Sequence, residues 1–439
     1  MSTTGNLLSI TPQEFVLFLT QNKIRRCYFV YDEGSKTVKP SHPVLQPVAD
    51  FLQQDKRDFA KHEGIFLQVS KKYDTLFGAF VHRTNRGQAA GGTRYWQYDT
   101  IEHFLRDGIR LAKGMTHKNA LAGLWWGGGK GVMVHNPLVD KYDPAIRADL
   151  YKEFGEMMTS LRGCYVTAED VGTNVTDMAN IFSATRFTTC IPPALGGSGN
   201  PSVPTARGVV CGMEAALEYL GMGTLAGKVV AVQGMGNVGA PLIRFLFEKN
   251  VKKVIASDIN AQIADSLKQE FSGKDFEAYV VPICDHSIYT RECDIFSPCA
   301  TGAVLNPKTI PTLKTKIICG AANNQLEDPE RDDAFLVRRG ILYVPDFLTN
   351  RMGIVTCADE QYGYVNNDSA IERHLDKTWE HSVYQTAMRV FRASKEQNVP
   401  TGKIAVQLAE ELSFVNHPVF GHRGQAIINS LVENKWENS

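Results

Sequence analysis

KVVAVQGMGNVGAPLIRFLFEK, residues 228–249, changes its periodicity in the middle. It opens as a continuous apolar run of the β type and ends with apolar side chains at helical spacing, and a glycine cluster separates the two. Gly234, Gly236 and Gly239 read GxGxxG in the setting that gives the pattern meaning, after a strand and opening a helix. The first glycine permits a tight turn, the second lets a pyrophosphate approach the backbone, and the third lets helix and strand pack closely. Asn237 and Val238 complete the turn, and the helix start supplies N–H donors and the positive end of a dipole. Asp258 ends the next apolar run, VKKVIASD, where a carboxylate accepts hydrogen bonds from ribose hydroxyls and repels a 2′-phosphate. No basic residue stands in ASDIN, so the expected cofactor is NAD.

Outward from this stretch, apolar runs recur at KTKIICGAA (314–322) and ILYVPDF (341–347), separated by helix-like segments. That alternation predicts a Rossmann-type doubly wound parallel sheet over residues 196–365. A Gly/Pro-rich passage, GNPSVPTARGVV (199–210), places a boundary near residue 195. Before it, IFLQVS (65–70) and LFGAFVHR (76–83) read as strands, and Ile101, Phe104, Leu105, Ile109, Ala112 and Met115 form a helical stripe capped at Asp99 or Thr100. Residues 61–195 are therefore expected to form an α/β substrate-binding and catalytic domain. Residues 366–439 read as C-terminal helices packing back between the domains. Residues 1–60 read as an extension of helix and loop, with PSHPVLQP (40–47) as a linker.

Bulk properties narrow the partners. At 439 residues the chain suits two domains, and 47 basic against 47 acidic residues leave no charge footprint for nucleic acid or a membrane surface. Nine cysteines without a CxxC pair or zinc-like spacing read as reduced thiols in a cytoplasmic protein, with no metal site. The N-terminus lacks a basic region before its apolar stretch, and no apolar run is long enough to span a bilayer. A small-molecule substrate is the partner left.

GLWWGGGKGVMVHN (123–136) sets one lysine among glycines. It is not a phosphate loop, because Leu124 stands where the first glycine of GxxxxGK belongs and Gly131 follows Lys130. Lys118 in MTHKNA lies twelve residues earlier, and Asp170 sits in VTAEDVGTN. Two ammonium groups in one cleft depress each other's pKa, and burial depresses it further, so a lysine here suits a general base.

GGTRYW (91–96), MTHKNALAGL (115–124), GGGKG (127–131), TAEDVGTNVTDM (167–178), SGNPS (198–202), QGMGNVG (233–239), GAANNQL (320–326) and ADEQYGY (358–364) together resemble the glutamate, leucine, phenylalanine and valine dehydrogenase family. The similarity is greatest to the leucine and phenylalanine branch and runs over roughly residues 65–415 in the same order. The resemblance implies reversible oxidative deamination of an L-amino acid to its 2-keto acid and ammonia, and a homo-oligomer. It implies that Lys118 pairs with the substrate carboxylate, assisted by Asn324. Lys130 activates water, and Asp170 exchanges protons with the nitrogen. Gly92 lends backbone to the site, and Thr205 and Asn324 touch the nicotinamide. The glycines around Lys130 are expected to let substrate and cofactor close on it.

Glutamate-specific relatives carry a lysine just before the Gly-Gly of GGxR, where this chain has Ala90. A pocket of Ala90, Ala168, Ile354 and Cys357 follows, suited to an apolar aliphatic or aromatic side chain. Three departures leave alternatives open. The family's Asn-Ala-Gly-Gly reads Asn350, Arg351, Met352, Gly353 here, so Arg351 fills the cleft, shifts the pocket, meets a polar or acidic substrate, or points to solvent. Trp125 and Trp126 replace a smaller pair and either pack under the loop or stack on substrate, while His117 replaces Tyr or Trp and is expected to pack beside Lys118. A blocked site would make the chain a non-enzymatic NAD-binding sensor or assembly subunit.

Overall fold

A computed structural model describes residues 7–439. The first sheet holds β1 (Arg26–Asp32), β2 (Thr37–Pro40), β3 (Gly64–Val69), β4 (Leu76–Arg83), β5 (Ala89–Trp96), β6 (Gly127–Val134) and β7 (Tyr165–Glu169) in the order β2-β1-β3-β4-β6-β5-β7. β5, β6 and β7 run parallel, and the other neighbours are antiparallel. Side chains alternate along β3, with Ile65, Leu67 and Val69 in one apolar cluster and Phe66 in another, so both faces of the sheet are covered.

One face carries the Ile101–Leu121 helix. The Thr100 hydroxyl accepts the N–H of His103 at 3.2 Å and caps it, and the expected stripe, Ile101, Phe104, Leu105, Ile109 and Ala112, is buried. Asn119 pins its far end, donating to the carbonyls of Ala90 (3.3 Å) and Gly127 (2.6 Å). Lys118 is thereby fixed over the starts of β5 and β6. The other face receives the Pro144–Ser160 helix and the chain terminus, where Trp436 meets Phe66 edge-on at 5.3 Å and donates to the Ser160 hydroxyl at 2.9 Å.

The second sheet is wholly parallel: β8 (Val229–Gln233), β9 (Lys253–Asp258), β10 (Phe276–Val280), β11 (Ile295–Pro298), β12 (Ile317–Ile318) and β13 (Leu342–Tyr343), ordered β10-β9-β8-β11-β12-β13. The order reverses between β8 and β11, which makes the crevice beyond their carboxyl ends the expected ligand position. The glycine turn lies there, with Gly234 at φ +94 against Ala300. Two of the passages between the sheets lie side by side, the chain from Cys190 to Asn200 and the Met352–Glu360 helix. Of the C-terminal helices, Val383–Gln397 packs on Ser202–Tyr219 of the second unit and Thr401–Ser413 on Ile101–Leu121 of the first.

The lead-in differs from its reading as helix and loop. RCYFVYD and TVKP become β1 and β2 of the first sheet, and the 40–47 stretch is no linker, since Leu45 is fully buried and Gln46 begins a helix through Gln54. β1 has no alternation to read because its first four residues are all buried. A strand buried on both faces looks like any apolar run.

Candidate active site

Lys130 projects from the middle of β6, and Asp170 follows the end of β7, two strands away across β5. Their side chains form an ion pair, Nζ to Oδ2, although forty residues separate them. Burial lowers the Lys130 ammonium from its ordinary value, with Arg94 adding to the shift and Asp170 opposing it. Burial would raise the Asp170 carboxyl, but Lys130 and Arg94 more than reverse that and hold it below the usual range. Arg94, on β5, has its Nε 3.6 Å from Asp170 and its guanidinium 2.8 Å from Asp107. No reading of the sequence singled it out, yet its guanidinium bridges Asp170 to a second carboxylate.

The glycines flanking Lys130 serve the protein's own packing rather than ligand approach. A Cβ on Gly128 would fall 2.0 Å from the Thr116 hydroxyl of the overlying helix, and one on Gly131 2.1 Å from that of Thr93. The space their side chains would take is filled by the protein itself, by the overlying helix at Gly128 and by the neighbouring strands at Gly129 and Gly131. At Gly92 a Cβ would meet the Glu169 carbonyl at 2.6 Å and the Asp170 Cβ at 2.7 Å, so this glycine lies against Asp170.

Lys118 reaches from the first unit to the second, its Nζ 3.3 Å from Asn323 Oδ1, which also accepts from Asn350 Nδ2 at 2.8 Å. Asn323, rather than Asn324, is thus the amide facing this lysine. Asn324 is exposed at φ +53, and its carbonyl accepts from Ala303 N–H at 2.7 Å. From sequence the adjacent amides are indistinguishable. Burial brings Lys118 down to about 8, opposed by Asp346 and Asp170 and assisted by Lys130. Ala90, Ala168, Ile354 and Cys357 lie in one apolar cluster, which Trp126 joins.

The cofactor turn fits a dinucleotide. Gly239 is obligatory, because a Cβ would stand 2.0 Å from the Gly234 carbonyl, whereas Gly236 faces open space with Asn237 exposed beside it. The Gly239–Glu248 helix begins after Val238 without a side-chain cap, which leaves its first N–H groups free of side-chain acceptors. Asp258 Oδ2 accepts the N–H of Met235 at 2.6 Å and so stands beside the turn. Thr205, in the first turn of Ser202–Tyr219, donates to the Pro201 carbonyl at 2.8 Å and borders Gly353.

Arg351 does not point to solvent. It is the largest fully buried side chain, donating to the Leu121 carbonyl and Thr386 hydroxyl at 2.8 and 3.2 Å and to the His381 carbonyl. Burial lowers it to about 9, with Arg389 adding to the shift. Met352 packs in the second unit against Gly208. Trp125 is 40% exposed beneath the Arg86 guanidinium, 4.3 Å from its ring centre. His117 pairs with Glu410 at 2.9 Å, which holds that carboxyl down at about 2. Arg351→Ala is expected to cost about 3 kcal/mol of stability, since three buried acceptors lose their donor together, with NADH affinity unchanged. Urea unfolding beside an NADH titration checks both, and an unaltered unfolding midpoint would refute the buried tie.

The motifs SGNPS and ADEQYGY meet between the two units. Glu360 ends its helix with a carboxylate that accepts the N–H groups of Cys190 (2.9 Å), Ile191 (3.2 Å) and Ser198 (3.0 Å) and the Ser198 hydroxyl. The two passages between the units are strapped to each other.

A parallel sheet with a dinucleotide turn at its switch point, facing a second unit that presents two lysines and an aspartate, defines an oxidoreductase of the amino-acid dehydrogenase class. Residues 196–416 match the profile described as "Glutamate/Leucine/Phenylalanine/Valine dehydrogenase", and residues 70–187 match "Glu/Leu/Phe/Val dehydrogenase, dimerisation domain". The leucine dehydrogenase of Geobacillus stearothermophilus is 44% identical over 75% of this chain and 85% of its own, and the phenylalanine dehydrogenase of Lysinibacillus sphaericus 37% over 74% and 81%. The crystal structure of L-tryptophan dehydrogenase from Nostoc punctiforme aligns over 80% of this chain and 96% of that one, with a TM-score of 0.66 at 34% identity. The chain belongs to the Glu/Leu/Phe/Val dehydrogenase family.

Proposed function

We propose that the protein catalyses the reversible, NAD-dependent oxidative deamination of an apolar L-amino acid to its 2-keto acid and ammonia. The observation that carries this reading is the approach of Lys118, Lys130 and Asp170 to one another beside an apolar wall that contains Ala90. Lys118 binds the α-carboxylate, with Asn323 orienting its ammonium. NAD, when bound, accepts the hydride from the α-carbon. Lys130 in its neutral form takes a proton from water as that water adds to the iminium carbon. Asp170, adjoining Lys130, carries protons to and from the departing nitrogen. Asp258 at the end of β9, with no lysine or arginine in residues 258–262, supports NAD over NADP.

The test is absorbance decay of NADH, and separately NADPH, with excess ammonium and the keto acids of leucine, valine, phenylalanine, tryptophan and glutamate. Apolar keto acids are expected to react with NADH. The keto acid of glutamate should be at least about 100-fold poorer in kcat/KM, because its second carboxylate would be buried without a cation. Turnover confined to that substrate would sink the apolar pocket, and a sample that binds NADH but reduces none of the five would sink the enzymatic reading.

A further inference from the structure

Cys190 and Cys357 are 167 positions apart, and their sulfurs lie 3.1 Å apart, with the two residues 0% and 2% exposed. Each belongs to a different passage between the two units: Cys190 to the outgoing chain and Cys357 to the returning Met352–Glu360 helix. The Glu360 carboxylate holds the N–H groups of Cys190 and Ile191, so the register that opposes the sulfurs is fixed by hydrogen bonds they take no part in. Cys190 also sits at φ +60, a backbone region in which non-glycine residues are uncommon. No other sulfur–sulfur hydrogen bond occurs among the described residues, and Cys284 is exposed.

We infer that Cys190 and Cys357 are a modification site, a dithiol that hydrogen peroxide converts to a disulfide, locking the two hinge passages together. One sulfur attacks peroxide and becomes a sulfenic acid as the O–O bond breaks and the first water leaves. The second sulfur then displaces that oxygen, and its proton departs with the second water, so two thiols and one peroxide give one disulfide and two waters. About 1 Å of travel brings the sulfurs to bonding distance. Peroxide is small enough to reach them while the units swing apart. The Cys190 thiol is pushed up by its hydrogen bond to Cys357 and by burial, which makes oxidation slow in the strapped hinge and dependent on opening.

The consequence falls on turnover. Opening and closing of the units requires the two passages to shift against each other, and a covalent bond between them resists that. Cys357 shares an apolar cluster with Ala90, Ala168 and Ile354, so moving its sulfur also disturbs the substrate wall.

The experiment treats the full chain with peroxide, alkylates remaining thiols under denaturation and digests without reductant. A peptide linking 190 to 357 is expected, abolished by reductant, with turnover reduced at least about tenfold and recovering when the bond is reduced. Cys190→Ser should keep its basal turnover and show neither the linked peptide nor a reversible loss; if it folds poorly, Cys190→Ala serves in its place. Cys284 is the internal control. If Cys284 is oxidised while 190 and 357 remain fully alkylated, the inference is overturned, and a linked peptide with unaltered turnover overturns the lock. The turnover arm rests on the function proposed above, whereas the linked peptide, and slowed hydrogen exchange at 190–198 and 352–360, do not. A chain inactive in its reduced form would therefore fail the earlier reading and leave this one measurable.

Discussion

Replacing Lys130 by alanine is expected to lower turnover by about 10³-fold while leaving NADH affinity within about twofold, as read by steady-state kinetics and a fluorescence titration. Steric neighbours argue for a chemical role. Lys130 is 4% exposed in the middle of a seven-stranded sheet, where an apolar residue would pack as well and an ammonium is costly. Burial, with Arg94 adding to it, lowers its pKa and favours the neutral amine more than in an exposed lysine, while Asp170 supplies a place for the proton to go. Truncation removes the base and changes its partner, because Asp170 loses the largest group that offsets its burial, keeping Arg94 and the Val171 N–H, and its pKa must rise. Lys130→Arg should fare no better, since a guanidinium holds its proton at any accessible pH. The turn that carries the cofactor lies on the other sheet, which is why binding should survive. Retention of more than about a tenth of the turnover in Lys130→Ala would remove this residue from the chemistry.

What the sequence discloses follows from how local each device is. The strand, glycine turn and helix around residues 229–248 stand on about twenty consecutive residues, and the structure places them as read. The Thr100 cap and the stripe behind it were legible for the same reason. Arg351 was not, because its three acceptors come from Leu121, His381 and Thr386, and nothing beside Arg351 in the chain signals them. The Glu360 strap spans some 160 to 170 positions and is equally silent. The glycines of β6 misled in an instructive way. A glycine-rich strand signals that something approaches closely, but not whether it is a ligand or the helix above, and here Thr116 is what approaches Gly128. Asn323 and Asn324 show the finest limit, since a left-handed turn at Asn324 decides which amide faces Lys118.

Lys118 should govern the alkaline side of the pH profile. Its ammonium, lowered by burial to about 8, is present below that pH and lost above it, whereas an exposed lysine would keep its charge beyond 10. The sign for amino-acid binding follows directly. A carboxylate gains from the cation, so kcat/KM should fall as pH rises through about 8, with a slope set by loss of one proton from the free enzyme. Once bound, the carboxylate raises Lys118 again, so kcat should be flatter than kcat/KM over the same range. Lys130 acts with the opposite sign, being useful when neutral, and contributes a limb that ascends with pH. Lys118→Ala should lower kcat/KM about 10³-fold through loss of a partly buried charge-assisted contact, most of it appearing in KM, and should erase the descending limb. Lys118→Arg separates charge from shape: its guanidinium stays protonated, so the limb should vanish even if geometry costs part of the affinity. A descending limb near pH 8 that persists in both variants would assign the titration to another group and leave the carboxylate without its proposed cation.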